Sequence, residues 1–494
     1  MKISIILVLS AALATAFSFD DRQPQKPNVL FIAVDDLNDW ITLFDPANPI
    51  KTPNLQRLAA KGVFFPRAYC SSPSCNPSRT SVLTGTRTHK NGVYGNKSDW
   101  RKALPEAETI QQYFMKNAYY SAGAGKIFHH HWDGAFHDAA SFHDFQQLPD
   151  SYPDAPIPPK KLNGLEQYGS KNSDWGAWPP DEKDALDYRT ASYAEAFLRQ
   201  PSRKPFFLSI GIFRPHMPFY APQSYRDNYP VQNAVMPATK KDDWNDLPAG
   251  ADSLMKSTKW FWRGIERAMK KDPQTWADMV VSYQAAASFA DAQIGRVLDA
   301  LEKSEYANNT IIVLWSDHGY HLGEKQHIEK FALWEKTTHI PFILVAPGQI
   351  SPGTRINTPV DLTTIYPTLT DLCGLNKKSG LDGLSLVPLL KDPSTPFPPA
   401  LMTYMKGNHA VRTAQWRYIQ YADGTEELYD HSKDEAEWNN LAGNSGYKQV
   451  LDSLRQFIPR ENADAVPDMK KPPNVTSSGA ARNPRPGSSA SGRS

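Results

Sequence analysis

Five short apolar runs interrupt the chain at wide intervals, at residues 28–34, 119–124, 206–213, 310–315 and 340–346. Each is shorter than a typical helix and bounded by turn-forming or polar residues, which predicts buried strands. Between them lie patterns with helical spacing: Thr52-Pro53 as cap and first residue with Gly62 as stop, then residues 106–117, 277–303 and 362–372. Strands alternating with helices predict an α/β fold, a large and mostly parallel central sheet flanked by helices. Ligands of such sheets bind beyond the carboxyl ends of the strands. The first four runs lead directly into reactive polar residues, so those residues are expected to meet at one edge.

The pattern changes elsewhere. Residues 131–200 and 220–275, rich in Pro, Trp, Asp and Lys, show little period before the later helix and read as long loops over the sheet. Beyond about residue 396 short β segments take over, and residues 410–421 turn at Asp423-Gly424 into 427–429 as an antiparallel hairpin. This predicts a catalytic domain over 26–395, a smaller C-terminal antiparallel-sheet subdomain over 396–466, and a disordered tail over 467–494 whose Pro, Gly, Ser and Arg content leaves almost nothing to bury. At the other end, a positive start, a short apolar run and Ala14-Thr15-Ala16 form the pattern of a cleaved signal peptide, taken as residues 1–18. An exported, periplasmic or extracellular chain follows, and no later segment is apolar enough to span a membrane.

Composition narrows the function. The 494 residues leave room for an enzyme with a sizeable core, while a net charge of +2 with scattered basic residues argues against nucleic acid. Three cysteines, Cys70, Cys75 and Cys373, leave at least one thiol outside any internal disulfide, and an odd thiol in an oxidising compartment calls for a reason.

That reason is suggested by Cys75-Asn76-Pro77-Ser78-Arg79, followed by Leu83-Thr84-Gly85. The segment resembles the signature at which type I sulfatases carry cysteine oxidised to formylglycine. Across roughly residues 26–445 the nearest branch is that of bacterial relatives of iduronate-2-sulfatase, and the resemblance implies an alkaline-phosphatase-like fold and a sulfuric ester hydrolase. A hydrated aldehyde has two hydroxyls on one carbon. One attacks sulfur, and the other, once deprotonated, expels sulfate by re-forming the carbonyl. Pro77 suits a first helical turn and Gly85 a helix end, which leaves position 75 beside a helix N-terminus, where free N–H groups favour an anion. Arg79 is expected to reach back to the hydrated group. A Cys70–Cys75 disulfide would abolish this chemistry.

Asp35-Asp36 follows one predicted strand and Asp317-His318 another. Paired carboxylates at two strand ends suit a hard divalent ion, and the resemblance implies Asp35, Asp36, Asp317 and His318 as ligands together with the oxidised Cys75. Many sulfatases carry Asn where His318 stands, whereas the iduronate branch has His, which keeps Ca2+ first and leaves Mg2+ or Mn2+ open. Gly125-Lys126-Ile127-Phe128-His129 resembles the family segment whose Lys and His contact the hydrated aldehyde, with His130 and His131 extending the run. His216, in Pro215-His216-Met217-Pro218-Phe219, matches the histidine that contacts sulfate and protonates the leaving oxygen. Lys330 is the candidate sulfate-binding cation and Lys325 its competitor. Trp132, Trp175, Trp178, Trp244, Trp260 and Trp262 offer faces for sugar stacking or, equally well, anchors for the loops. The implied partners are a sulfated carbohydrate and a formylglycine-generating or equivalent maturation enzyme. The rival functions are a phosphonate or phosphodiester hydrolase with the same cysteine signature, and a non-catalytic glycan-binding relative.

Overall fold

The computed structural model describes residues 26–129, 136–146, 158–202 and 204–470. The signal peptide expected over 1–18, most of the expected tail, His130, His131 and Trp132 lie outside them.

The apolar runs become strands of one eight-stranded sheet: β1 (Asn28–Val34), β2 (Val63–Phe64), β3 (Tyr120–Gly125), β4 (Asp144–Gln146), β5 (Phe206–Ile212), β6 (Thr310–Ser316), β7 (Phe342–Val345) and β8 (Thr354–Arg355). Their spatial order is β8-β2-β7-β6-β1-β5-β3-β4. The five strands from β6 to β4 run parallel, and β7 lies antiparallel to both neighbours. Every residue of β1, β5 and β6 is buried, which explains why these segments read as unbroken apolar runs.

The two-residue period survives in the choice of core. Leu30, Ile32 and Val34 pack on the face covered by α1 (Pro53–Ala60), α4 (Leu186–Leu198) and α6 (Thr275–Glu302). Val29, Phe31 and Ala33 face α2 (Cys75–Thr84), α3 (Ile110–Lys116) and α7 (Ile365–Leu372). A helix α5 (Lys259–Met269) precedes α6.

Several expectations are corrected. The Thr52 side chain does not cap α1, because its hydroxyl lies 3.2 Å from that of Thr42. Asp291 in α6 accepts the free N–H groups of Asn54 at 3.1 Å and Leu55 at 2.9 Å instead. Residues 106–109 stay outside α3, which starts behind a Thr109–Gln112 capping box. The stretches read as loops contain α4 and α5. α4 was hidden because its buried face is built partly from Thr190, Ala191 and Ala194, which give a weak apolar period. Residues 410–421 are two strands, not one. With β9 (Ala400–Thr403), β10 (His409–Arg412), β11 (Trp416–Gln420) and β12 (Glu426–Asp430) form a four-stranded antiparallel sheet. The packed chain continues past residue 466, since Asp468 bridges Ser98 and the Met469 N–H donates to the Lys97 carbonyl at 2.7 Å.

Candidate active site

The carboxyl ends of β1, β3, β5 and β6 deliver the reactive residues to one edge. After β1 the chain turns at Asp36, whose φ of 64° is unusual for a residue with a side chain. Three groups hold that turn: Tyr283 in α6 donates to the Asp36 carbonyl at 2.7 Å, Asp317 accepts the Asp36 N–H at 3.2 Å, and the Ser316 hydroxyl accepts the Leu37 N–H at 3.0 Å. After β3, Gly125 adopts a φ of 76°, and a Cβ there would lie 2.0 Å from the Gly211 carbonyl oxygen. This close approach lets the Lys126 N–H donate to the Gly211 carbonyl at 3.0 Å and carries the Lys126 side chain into the pocket. After β5, Asp187 in α4 accepts the N–H groups of Phe213 at 2.6 Å and Arg214 at 2.8 Å, fixing the turn that precedes His216.

Cys75 is the first residue of α2 and is fully buried. Its Sγ lies 3.2 Å from His318 Nε2 and 3.4 Å from Lys330 Nζ. Lys330 also donates to Asp36 Oδ1 at 2.9 Å and Oδ2 at 3.1 Å. Lys126 Nζ meets Asp35 Oδ2 at 2.5 Å, and His216 Nε2 stands 3.9 Å from Asp36 Oδ2. His129 is buried, and neither of its ring nitrogens has a hydrogen-bond partner among the described residues.

Arg79 is held by three strand ends. Its Nε donates to Asp317 at 2.8 Å, one terminal nitrogen to Asp35 at 3.1 Å, and the other to the carbonyls of Lys126 and Ile127. The guanidinium ties together the ends of β1, β3 and β6. Lys325 is engaged elsewhere, with Asp243 and the Glu437 carbonyl. Trp175 is buried and bonded to Asp278, while Trp260 is 40% exposed, so the tryptophans divide between anchoring and display.

Burial alone would raise the Cys75 thiol, but Lys126, Lys330 and His318 outweigh it and hold it well below its usual range. Burial would likewise raise Asp35, yet Lys126, His216 and Arg79 keep it far below the ordinary carboxylate range. Asp317 goes the other way: burial, with Asp35 and Cys75 nearby, pushes its carboxyl up to about 7 despite Arg79. Burial would lower His318, but Asp317, Cys75 and Asp36 push it up to about 9.

The donor atoms of Asp35, Cys75, Asp317 and His318 all lie within 4.8 Å of one another, and Asp36, Cys75 and His216 form a second such group around the same sulfur. A buried, carboxylate-rich set of donor atoms this close together fits a divalent cation. The His318 Nδ1 lies 3.0 Å from the Gly319 carbonyl, which orients Nε2 toward the sulfur. All three cysteines are free thiols, so no Cys70–Cys75 bridge blocks position 75. Sequence reasoning missed Tyr283, Ser316, Asp187 and Gly211, which shape the site through backbone contacts. Gly211 alone left a signal, as a glycine inside an apolar run.

An activated sulfur at a helix start, ringed by carboxylates and cations at the carboxyl edge of a parallel sheet, defines a hydrolase of charged esters in the α/β class. The sulfatase family model matches residues 27–375, and that of the N-sulphoglucosamine sulphohydrolase C-terminal region matches residues 323–464. The chain therefore belongs to the sulfatase family and is a sulfuric ester hydrolase. A sulfatase of Formosa agariphila is 39% identical over 94% of this chain and 93% of its own. Human iduronate 2-sulfatase is 28% identical over 70% of this chain and 69% of its own. The phosphonate monoester hydrolase of Agrobacterium radiobacter shares the fold, with a TM-score of 0.67, 20% identity, and coverage of 87% of this chain and 94% of that one. The fold is alkaline-phosphatase-like.

Proposed function

We propose that this enzyme removes sulfate from a sulfated carbohydrate, with Cys75 converted to formylglycine and one divalent ion, Ca2+ in first place, beside it. The observation that carries this reading is the placement of Cys75: first residue of α2, its sulfur shared by His318 and Lys330 within a nest of carboxylates. As the hydrated aldehyde, position 75 supplies one hydroxyl for attack on sulfur and a second whose deprotonation releases sulfate. A divalent ion held by Asp35, Asp36, Asp317, His318 and residue 75 supplies positive charge for the ester oxygens.

The remaining steps belong to the chain's own side chains. Arg79 fixes the carboxylates of Asp35 and Asp317 at a set separation. Lys126 and Lys330 offset charge building on the nucleophile and on the sulfate oxygens. His129, kept neutral because burial lowers it to about 4, accepts the proton whose loss triggers sulfate release. His216 delivers a proton to the leaving alcohol oxygen. The site's lysines and Arg79 are already paired with carboxylates, which favours a sulfate monoanion over a doubly charged phosphate ester.

Because Cys75 is fully buried, the maturation enzyme meets it before folding closes the pocket. Export through the signal peptide over residues 1–18 puts the enzyme where sulfated polysaccharides are accessible. Turnover of matched aryl sulfate, phosphate and phosphonate esters tests the reading. Sulfate turnover should dominate, fall on treatment with a chelator and return with Ca2+. Faster turnover of a phosphorus ester would replace it with the phosphonate hydrolase reading, and no turnover by formylglycine-bearing protein would favour glycan binding alone.

A further inference from the structure

The start of α2 is capped from a distance. Ser74 precedes the helix, yet its side chain makes no cap to the helix N–H groups; the hydroxyl donates instead to Asn96 Oδ1 at 2.9 Å. The same oxygen accepts the Asn76 N–H at 3.0 Å, so the cap comes from a residue 20 positions further along the chain. Asn76 returns the contact, its amide nitrogen donating to the carbonyls of Gly95 at 3.1 Å and Ser98 at 2.9 Å. One side-chain oxygen therefore holds the residues immediately before and after Cys75.

A second clamp acts on the same turn from the end of β6, where the Ser78 hydroxyl donates to the Asp317 carbonyl at 2.6 Å and Arg79 to the Asp317 carboxylate. The loop that carries Asn96 is itself fixed by the last packed segment of the chain. Asp99 donates its N–H to the Pro467 carbonyl at 3.2 Å, Val466 to that of Gly92 at 2.9 Å, and the Tyr94 hydroxyl to that of Ala463 at 2.9 Å. A Cβ on Gly92 would lie 2.2 Å from the Asp464 carbonyl oxygen, so the two segments run in close contact. The contacts of the Cys75 sulfur with His318 and Lys330 are made by the reacting atom itself, which changes partners during turnover. The aim of residue 75 has to come from its neighbours.

We propose that Asn96 is a positioning residue for the nucleophile: by holding Ser74 and Asn76 through one oxygen, it sets the direction from which the hydrated aldehyde at position 75 meets the ester sulfur. This rests on the sulfatase reading above and deepens it. A reacting group displaced by about 1 Å can lose on the order of 100-fold in rate, so the effect belongs in kcat and leaves substrate binding to the lysines and histidines of the pocket.

The test measures kcat and KM on an aryl sulfate for the wild type, Asn96→Ala, Asn96→Gln and Asn96→Asp, each expressed per folded molecule bearing formylglycine as counted by peptide mass. Asn96→Ala should lose about 10–100-fold in kcat with KM changed less than about 3-fold. Asn96→Gln keeps the amide but carries its oxygen one methylene further out; it should lose kcat in the same way and serves if Asn96→Ala does not fold. Asn96→Asp retains an acceptor that caps a helix as well as Asn does, and should recover most of kcat. Wild-type kcat in both Asn96→Ala and Asn96→Gln would overturn the proposal and leave Asn96 a support of stability alone. A loss confined to KM, or an Asn96→Asp no better than Asn96→Ala, would overturn it too, with the sulfatase reading intact. Formylglycine-bearing wild type that turns over no sulfate would remove both.

Discussion

Arg79 is the residue on which most of the site's geometry depends, because one buried guanidinium spans carboxylates from two strands and carbonyls from a third segment. Replacing it with Ala leaves Asp35 and Asp317 buried without that partner, a loss on the order of 3–5 kcal/mol. Denaturant unfolding of Arg79→Ala should show a drop of that size, and metal affinity measured by calorimetry should fall with it. Arg79→Lys should rescue only part of either, since a single ammonium cannot replace the fork. The reactive residues were legible because each sits in a short contiguous motif directly after an apolar run. Their supports were not. Tyr283 holds the Asp36 turn from 247 residues away, and nothing local to Asp36 announces a tyrosine on another helix.

At the scale of elements, α1 shows how a local rule gives way to a tertiary contact. Thr52-Pro53 marks the correct start, yet the free N–H groups are satisfied by Asp291 from α6. Asp291→Ala should therefore destabilise the protein by about 1–3 kcal/mol, the range for buried donors left unpaired. Thr52→Ala, which removes no side-chain cap from α1, should cost less in the same unfolding assay. Strands were readable because burial on both faces leaves long apolar runs, whereas α4 escaped notice because small residues line its buried side. Gly125 and Gly211 belong here as well. A Cβ at Gly211 would fall 2.2 Å from the Lys126 carbonyl carbon. Gly211→Ala should lower activity by displacing Lys126, even in the fraction of protein that remains folded.

For the whole molecule, the C-terminal sheet is tied to the large domain through Glu335. Its carboxylate receives Arg412 at 3.0 Å and Arg417 at 3.2 Å, its N–H donates to Glu437 at 2.8 Å, and Arg417 meets Glu437 at 2.7 Å. Burial would raise Glu335, but Arg412 and Arg417 hold it well below its ordinary value of 4.5, and Glu437 is lowered in the same way, chiefly by Arg417. Carboxyls depressed on folding contribute stability that is fully present above the unfolded value and lost as pH falls below it. Unfolding free energy should thus decline as pH drops below about 4.5. Arg417→Gln should lower stability at neutral pH and flatten that decline, and an unchanged acid slope would mean these carboxylates are not its source. No helix among the described residues is long and apolar enough to cross a membrane.

Separate strand ends bring their side chains to the start of α2, and the proposed chemistry needs an aldehyde there. The mass of the peptide containing residue 75, taken from enzyme purified out of its native host, tests this most directly. The prediction is formylglycine at position 75, in a fraction that scales with specific activity across preparations. Fully active protein carrying an intact Cys75 thiol would contradict it.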